Sequence, residues 1–384
     1  MKKISGLLLL ILMFLSACDY DFSADIKTQG TINPTYAVPL IDANFTIEEL
    51  LPDNADINRY LEIDNDGFMT LVYKESLQDL SVNDFLNGAP TPLPLTGPFL
   101  PPFDYTMPET SVDLNLNINL NGGSITFFDP KVKFIFTNFW NIPLQFSFSN
   151  MKYYPEGDTI GKDVTGSFVT DTHIIGSPTI KNDSVVTSLE MNPNNSNIDE
   201  VLSAVPKIIT AGAIVGTPGQ STPFDLTGVN PNKVDMEIDI PLNLSMNNVL
   251  FTDTLDFDLG INTDSTKVKN ITINFAADNG FPLGMNTQVY FLDKNFIIVD
   301  SLFSSRFDME PASVSNGLVN NRVNSKVSVS IPENRMDNIL NAKYMMPHIK
   351  LRTTDAANLL PVKIYSTNDL GIQLSAKMEL ELIL

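Results

Sequence analysis

Apolar and polar residues alternate strictly over long stretches of this chain. In VDLNLNINLN, residues 112–121, every second residue is apolar and the others are Asp or Asn. The stretches 234–246 and 372–384 alternate in the same way. Because successive side chains of a strand point to opposite faces, this period predicts half-buried antiparallel strands. Pro241 falls on the polar face and predicts an edge strand there.

Three separated pairs of stretches are superimposed by nearly the same shift along the chain. One shift lays 234–246 onto 372–384 and also 197–204 onto 335–342, and a shift one position longer lays Pro143-Leu144 onto Pro282-Leu283. Apolar residues occupy every inward position of the first pair. These nearly constant offsets predict two tandem copies of one module, residues 111–247 and 248–384.

Each predicted copy contains several strands and one short helix. The helix begins near Ser196 or Asn197 in the first copy and after IPEN, residues 331–334, in the second. Asn is favoured at helix N-caps, and the apolar residues of each helix form one stripe that would face a sheet. The chain is therefore predicted to be mainly β, with two tandem antiparallel β-sandwich modules that each carry one short helix.

A different segment, residues 18–89, precedes the copies. TIEELL, residues 46–51, predicts a short helix, and YLEIDNDGFMTLVYK predicts a hairpin that turns at residues 64–67. Residues 90–110 contain seven prolines. Because proline cannot donate a backbone hydrogen bond, this run cannot pair as a central strand, and it predicts a semi-rigid extended connector.

Residues 1–17 predict a secretory signal peptide. Lys2 and Lys3 precede an apolar run that is shorter than the roughly 20 residues of a membrane span, and small residues follow it. LSAC, residues 15–18, resembles the lipobox of bacterial lipoproteins, which implies that Cys18 becomes the acylated first residue of the mature chain. Cys18 is the only cysteine, so it cannot form an internal disulfide. The alternative is an uncleaved anchor helix with an incidental cysteine.

The charge of the chain argues against one class of partner. There are 45 acidic and 24 basic residues, a formal net charge of −21, and cleavage of the signal peptide would remove two of the lysines. The acidic residues are spread along the chain, which favours a solubilising surface over an acidic tail. Nucleic-acid phosphates repel such a chain, so no nucleic-acid partner is expected.

The sequence offers no constellation typical of catalysis. His173 and His348 lie in apolar, strand-like surroundings and are expected to be structural. No HExxH, CxxC or GxSxG motif occurs, which leaves zinc-protease, thiol-redox and nucleophile-elbow chemistry without their residues. DNDG at 64–67 lacks the later Glu of a calcium loop, so a hairpin turn explains it better. We therefore expect no enzyme activity, no cofactor and no metal site.

The sequence NFWNIPL, residues 138–144, contains Trp140, the only tryptophan of the chain. The second copy has the same Pro-Leu pair, and at the shift that superimposes the other two pairs of stretches it has Ala277, Asp278 and Asn279 in place of Phe139, Trp140 and Asn141. The Pro-Leu turn is therefore predicted to be a feature of the module. Trp140 is particular to the first copy and is either a local packing group or a candidate contact for a partner.

Two parts of the chain resemble known families. The order of a strand, N-x-P-L, a second strand and then VSVSIPENRMDNIL resembles the late-embryogenesis-abundant type 2 domain. YAVPLIDANFTIEELL followed by DNDGFMTLVYK resembles large uncharacterised lipoproteins of Bacteroidota-type bacteria. These resemblances imply an immunoglobulin-like or fibronectin-like sandwich and an envelope location, and they supply no catalytic residues. In the same group an acidic stretch after the lipidated cysteine directs export to the cell surface, and CDYDFSAD partly matches it.

Together, these features predict a non-enzymatic outer-membrane lipoprotein, at the periplasmic face or the cell surface. It would be anchored through acylated Cys18 and would bind or assemble with other envelope proteins. One alternative is a carrier of a lipid or another apolar ligand, because the inner strand faces are rich in phenylalanine, namely Phe127, Phe128, Phe134, Phe136, Phe146 and Phe148. A second alternative is a glycan-related surface protein.

Overall fold

A computed structural model describes residues 31–46, 59–114, 120, 122–155, 158–181, 183–257 and 266–383. The elements that precede the first predicted copy are mostly strands. They are β1 Thr31–Ile32, β2 Thr35–Thr46, β3 Arg59–Ile63, β4 Met69–Leu80, β5 Thr96–Gly97, β6 Phe103–Thr106 and β7 Thr110–Asp113, with helix α1 Val82–Asn87 after β4.

The next part of the chain contributes ten strands and two short helices. The strands are β8 Ser124–Phe127, β9 Lys131–Asn138, β10 Leu144–Pro155, β11 Lys162–Asp163, β12 His173–Ile175, β13 Val185–Met191, β14 Pro206–Thr217, β15 Phe224–Asp225, β16 Asn232–Pro241 and β17 Asn243–Asn247. The helices are α2 Ser167–Thr170 and α3 Ile198–Ser203.

The last part follows a similar order. Its strands are β18 Val249–Thr252, β19 Leu255–Asp256, β20 Thr266–Asn279, β21 Leu283–Leu292, β22 Ile298–Ser301, β23 Phe307–Met309, β24 Ser313–Ser315, β25 Leu318–Asn321, β26 Val323–Pro332, β27 Tyr344–Thr353, β28 Val362–Lys363 and β29 Asp369–Ile383. Helix α4 spans Glu333–Leu340, and a 3-10 helix spans Ala356–Asn358.

These strands form two antiparallel sandwiches, which confirms the predicted mainly β class. The first sandwich packs the sheet β13-β9-β16-β4-β3 against a sheet in which β10 and β14 are central. The second packs β26-β20-β29 against a sheet in which β27 and β21 are central. The predicted helices are α3 and α4, although α4 begins two residues earlier than predicted, at Glu333, with Pro332 and not Asn334 as its N-cap. Helix α2 is a further one-turn helix in the first sandwich.

The N-terminal segment is divided between the two sandwiches. The hairpin β3–β4 extends the first sandwich, because β4 pairs with β16. Strand β2 instead pairs with β29, the last strand of the chain, over the whole of residues 35–46. The sequence predicts one separate segment over residues 18–89. In the structure, strands of this segment complete one sheet in each sandwich.

The hairpin turns where the sequence predicts it. Gly67 has φ of 83°, a left-handed conformation that glycine adopts without steric cost. A carboxylate oxygen of Asp64 accepts hydrogen bonds from the backbone N–H groups of Asp66 and Phe68, at 2.9 and 2.8 Å. The predicted helix at 46–51 lies almost entirely outside the described residues, and so does most of the alternating stretch 112–121.

Two prolines show how the sheets accommodate a residue that lacks a backbone N–H donor. Pro39 lies in β2, at the edge of its sheet, next to an irregularity in the pairing with β29. The prediction that Pro241 lies in an edge strand is wrong, because β16 is central in its sheet. Pro241 is tolerated because it ends β16, two residues after pairing with β9 stops at Asp239.

The proline-rich run takes part in the first sandwich. Strand β6, within residues 90–110, pairs with β14 at the edge of its sheet, and the two-residue β5 pairs with β15. Phe103 of β6 is buried and lies 4.7 Å, between ring centroids, from Phe85 of α1. The run therefore covers one side of the first core.

The two sandwiches share buried side chains. Ala277, Phe281, Met309 and Leu370 of the second sandwich belong to the same apolar cluster as the core of the first. The small sheet β28-β17-β8 lies between them, since Leu244 of β17 pairs with both neighbouring strands. A separate cluster of buried residues fills the far end of the second sandwich under α4.

Candidate functional site

Trp140 lies in a turn that a buried amide holds together. Asn138, the last residue of β9, is 1% exposed. Its side-chain N–H groups donate to the carbonyl oxygens of Ile142, at 3.2 Å, and Gly176, at 2.8 Å. Its side-chain oxygen accepts from the backbone N–H of Trp140 at 2.9 Å. One amide thus satisfies three backbone groups that would otherwise be buried without partners.

The second sandwich contains the same turn. Asn279, the last residue of β20, donates to the carbonyl oxygens of Leu283, at 2.8 Å, and Glu310, at 2.9 Å. It accepts from the backbone N–H of Phe281 at 2.9 Å. The two turns therefore match position by position, with Asn279 at the place of Asn138 and Phe281 at the place of Trp140.

This match corrects the alignment made from the sequence. Laying Pro143 on Pro282 is wrong by two positions, because the hydrogen bonds superimpose Asn138 on Asn279. The repeated feature is an Asn that ends a strand two residues before a buried aromatic side chain. Trp140 is therefore not particular to the first copy, since an aromatic residue occupies the equivalent position in both.

The tryptophan belongs to the core. Its side chain is fully buried, and its ring centroid lies 5.3 Å from that of Phe85. The indole N–H donates to the carbonyl oxygen of Asn230 at 2.9 Å. A side chain with no exposed surface and a satisfied polar group packs locally, so the alternative that Trp140 contacts a partner is not supported.

The two histidines also have local roles. A ring nitrogen of His173 lies 2.9 Å from the carbonyl oxygen of Phe168, and the two rings pack at 4.6 Å. His348 lies beside the guanidinium of Arg306, at 2.9 Å, and across from the ring of Tyr290. Burial, together with the charge of Arg306, lowers the pKa of His348, so this ring is neutral at pH 7.

The inner phenylalanines pack against one another. Ring centroids of Phe134, Phe136, Phe146 and Phe148 lie 4.9 to 6.4 Å apart in contacting pairs. Such spacings are typical of aromatic side chains that fill a core. A lipid or another apolar ligand would have to separate these phenylalanine rings in order to bind among them.

The outer face of the first sandwich carries a ladder of ion pairs. The Lys133 ammonium lies 2.8 Å from a Glu237 carboxylate oxygen and 2.7 Å from one of Asp239. Lys74, from the N-terminal hairpin, reaches the other oxygen of Glu237 at 2.7 Å. Although burial acts to raise it, these ammonium groups hold the pKa of Glu237 below its ordinary value. The charges of this face thus neutralise one another.

The equivalent face of the second sandwich has an open polar groove of about 590 Å³. Ala276 and Gly371, on neighbouring strands, form its floor, since neither side chain fills the space above the sheet. Asp42 and Asn44 of β2 line one side, and Asn324 and Lys326 of β26 line the other. The groove thus runs across the sheet, between strands from the two ends of the chain.

Some of these polar groups have partners and others remain available. Arg322 binds Asp278 and Asp369 at one end of the groove, and Asn44 donates to Asp369 at 2.6 Å. Among the described residues, neither the ammonium of Lys326 nor the amide of Asn324 has a side-chain partner. An incoming polar segment could therefore bind them without displacing an internal bond.

Cys18, the predicted acylation site, lies outside the described residues. Within the described ranges no helix has the length and apolar character needed to cross a membrane. In the same ranges no group of three or more His, Cys, Asp or Glu residues is arranged to hold a metal ion.

Comparison with known proteins gives distant likenesses. No protein-family model and no curated protein matches the chain. A "putative secreted protein" from Parabacteroides distasonis, a member of the Bacteroidetes, aligns over 90% of this chain and 99% of its own, with 11% identity and a TM-score of 0.44. The CBM22 tandem domain of Paenibacillus barcinonensis Xyn10C aligns over 80% and 98%, with 8% identity and a TM-score of 0.17. Neither likeness is close enough to support an argument about activity.

The Asn138 turn can be tested by removing its amide. We expect Asn138→Ala to lower the free energy of unfolding by about 2–4 kcal/mol, because the carbonyls of Ile142 and Gly176 and the N–H of Trp140 lose their partner. Asn141→Ala is the control, since the Asn141 oxygen accepts a single bond, at 3.3 Å, from Asp225. Urea denaturation measures both, and equal losses would contradict the role assigned to Asn138.

The ion-pair ladder predicts a pH dependence. The folded-state pKa of Glu237 is below its unfolded value, so the ladder stabilises the fold above pH 4.5 and is lost as the pH falls through the lower, folded value. Glu237→Gln should therefore cost about 1–3 kcal/mol at pH 7 and much less at pH 3. Urea midpoints at both pH values measure this, with exposed Glu62→Gln as control. A difference that does not change with pH would contradict the prediction.

Proposed function

We propose that this protein is a non-enzymatic lipoprotein of a bacterial outer membrane that is anchored through acylated Cys18 and binds another envelope protein. The lipobox-like LSAC, which contains the sole cysteine, supports the anchor. The binding site is the groove of the second sandwich, and an extended, polar segment of the partner fits it. The protein acts at the periplasmic face or on the cell surface.

The contrast between the two outer sheet faces carries this proposal. On the first, Lys74, Lys133, Glu237 and Asp239 neutralise one another and leave little for a partner to bind. On the second, small residues leave a groove whose walls hold amides, a carboxylate and the ammonium of Lys326, which has no side-chain partner among the described residues. Since the two sheets share one strand order, this difference arises from the side chains and not from the fold.

A polypeptide fits this groove better than a sugar or a lipid does. An extended peptide presents alternating N–H and C=O groups, which the amide of Asn324 and the ammonium of Lys326 can bind. Sugar sites commonly use an aromatic side chain as a platform, and the residues that line this groove include none. The polar walls offer little to an acyl chain.

Filling the groove tests the proposal. Gly371→Arg places a long side chain in it, and the backbone tolerates the change, because an added Cβ would meet no atom closer than 3.6 Å. Cross-linking in intact cells, followed by capture of the lipoprotein, should recover a reproducible partner from the unchanged protein. We expect the yield from Gly371→Arg to fall about tenfold or more, because the loss of one hydrogen bond to the partner lowers the affinity by about that factor.

Ser188→Arg is the matched control, because Ser188 is an exposed residue of β13, in the corresponding sheet of the first sandwich. Ala276→Arg repeats the test from a second position in the floor. If all three variants capture the partner as well as the unchanged protein does, the groove is not the binding site. If the unchanged protein captures no reproducible partner, the binding function itself is contradicted.

A further inference from the structure

A hairpin tip of the second sandwich exposes three consecutive apolar side chains. Between β21 and β22 the chain turns through residues 293–297, and Phe296, Ile297 and Ile298 are 58%, 61% and 52% exposed. Isolated apolar residues are normal on protein surfaces, whereas adjacent ones at a protruding turn mark a surface that another body covers.

The tip holds its apolar residues in a defined arrangement. Phe296 has φ of 62°, a left-handed conformation that is unfavourable for a bulky residue and in which glycine is usual. Asp293 fixes the turn, since one carboxylate oxygen accepts from the backbone N–H groups of Asn295, at 2.8 Å, and Ile297, at 2.9 Å. The ring of Phe296 stacks on Tyr344 with 4.4 Å between centroids. Fold stability alone would favour glycine at this position.

The tip lies at the end of the sandwich where the N-terminal chain enters. Thr31 pairs with Ile383, so residues from both ends of the described chain meet there. Helix α4 crosses the same end, because Glu333 at its start pairs with Lys267 of β20, next to the site where β29 ends. After α4, Lys343 donates its backbone N–H to Leu292, immediately before the tip.

The length of the preceding chain limits how far this end can be from an anchor at Cys18. Thr31 stands thirteen positions after Cys18. An extended chain of that length spans at most about 45 Å, and less when it is not fully extended. An acyl anchor on Cys18 therefore keeps this end of the second sandwich within about 45 Å of the membrane.

The charges around the tip suit a lipid surface. Lys294 and Lys343 are exposed and flank the apolar residues, and within the described part of the chain neither forms an ion pair. The carboxylate of Asp293 is already occupied by two backbone N–H groups. Lysines beside inserted apolar side chains match headgroup phosphates above an acyl layer.

We propose that Phe296, Ile297 and Ile298 insert into the headgroup–acyl boundary of the membrane that holds Cys18. Lys294 and Lys343 contact the lipid phosphates, and the second sandwich thereby stands on the bilayer in one orientation. This inference rests on the anchor in the proposed function. It adds a second attachment, which directs the groove of β2, β29, β20 and β26 along the membrane and toward neighbouring envelope proteins.

Depth-dependent fluorescence quenching tests the insertion. The mature, acylated chain carrying Ile297→Cys is labelled at that thiol with an environment-sensitive fluorophore, because the thiol of Cys18 is blocked by its lipid. It is reconstituted in vesicles of phosphatidylethanolamine and phosphatidylcholine that contain a spin-labelled phosphatidylcholine. We expect quenching at least about threefold greater than for labelled Ile160→Cys, since an inserted group sits roughly 5–10 Å inside the headgroup layer. Ile160 is the matched control, an exposed isoleucine of the first sandwich.

The outcomes separate this inference from the anchor. Equal quenching at positions 297 and 160 in a chain shown by mass spectrometry to be acylated would overturn the insertion and leave the anchor intact. An unacylated Cys18 would overturn both. A label at position 297 that is shielded in whole cells but not in lipid vesicles would show that a protein covers the tip, and this too would overturn the inference.

Discussion

The antiparallel pairing of β2 with β29 is the constraint on which the rest of the structure depends. It joins residues 35–46 to residues 369–379, near the two ends of the described chain. Without β2, strand β29 would be the exposed edge of the second sandwich, with unpaired backbone groups open to other chains. Strand β4 pairs with β16 and has the equivalent place in the first sandwich. One N-terminal segment therefore completes both halves of the protein.

The functional proposals follow from that pairing. Strand β2 brings Asp42 and Asn44 to the sheet face, where they become one wall of the groove. The same strand fixes where the chain enters the second sandwich, so the proposed lipid on Cys18 and the apolar tip at Phe296 would act at one end of this sandwich. A sandwich attached at two points would present its groove in a constant direction, which attachment at one point does not achieve.

The sequence predicts the local structure well and the long-range structure poorly. Strict alternation identifies β16 and β29, and the spacing of apolar residues identifies α3 and α4, because these signals are local. Strand pairing depends on which edges remain open after the sheets form, so no pattern within residues 35–46 indicates a partner near the opposite end of the chain. Aligning the two Pro-Leu pairs is wrong by two positions. The buried amides of Asn138 and Asn279, and not the Pro-Leu pairs, define the equivalent turns.

The groove was not predictable for a similar reason. Gly371 and Ala276 are ordinary residues in an alternating pattern, and they form a floor only because neighbouring strands place them diagonally next to each other on one face. The tip at Phe296 does leave a signal, since DKNFII, residues 293–298, is a turn sequence followed at once by three apolar residues.

A disulfide between β2 and β29 tests the central pairing most directly. Asp42 lies opposite Gln373, so in a mature chain with Cys18→Ser the pair Asp42→Cys and Gln373→Cys should oxidise to an intramolecular disulfide. The pair Asp42→Cys and Lys377→Cys should not, because Lys377 lies opposite Ala37. Mass spectrometry of the oxidised monomer measures both. Failure of the first pair to close, or closure only between two chains, would contradict the pairing on which this account is built.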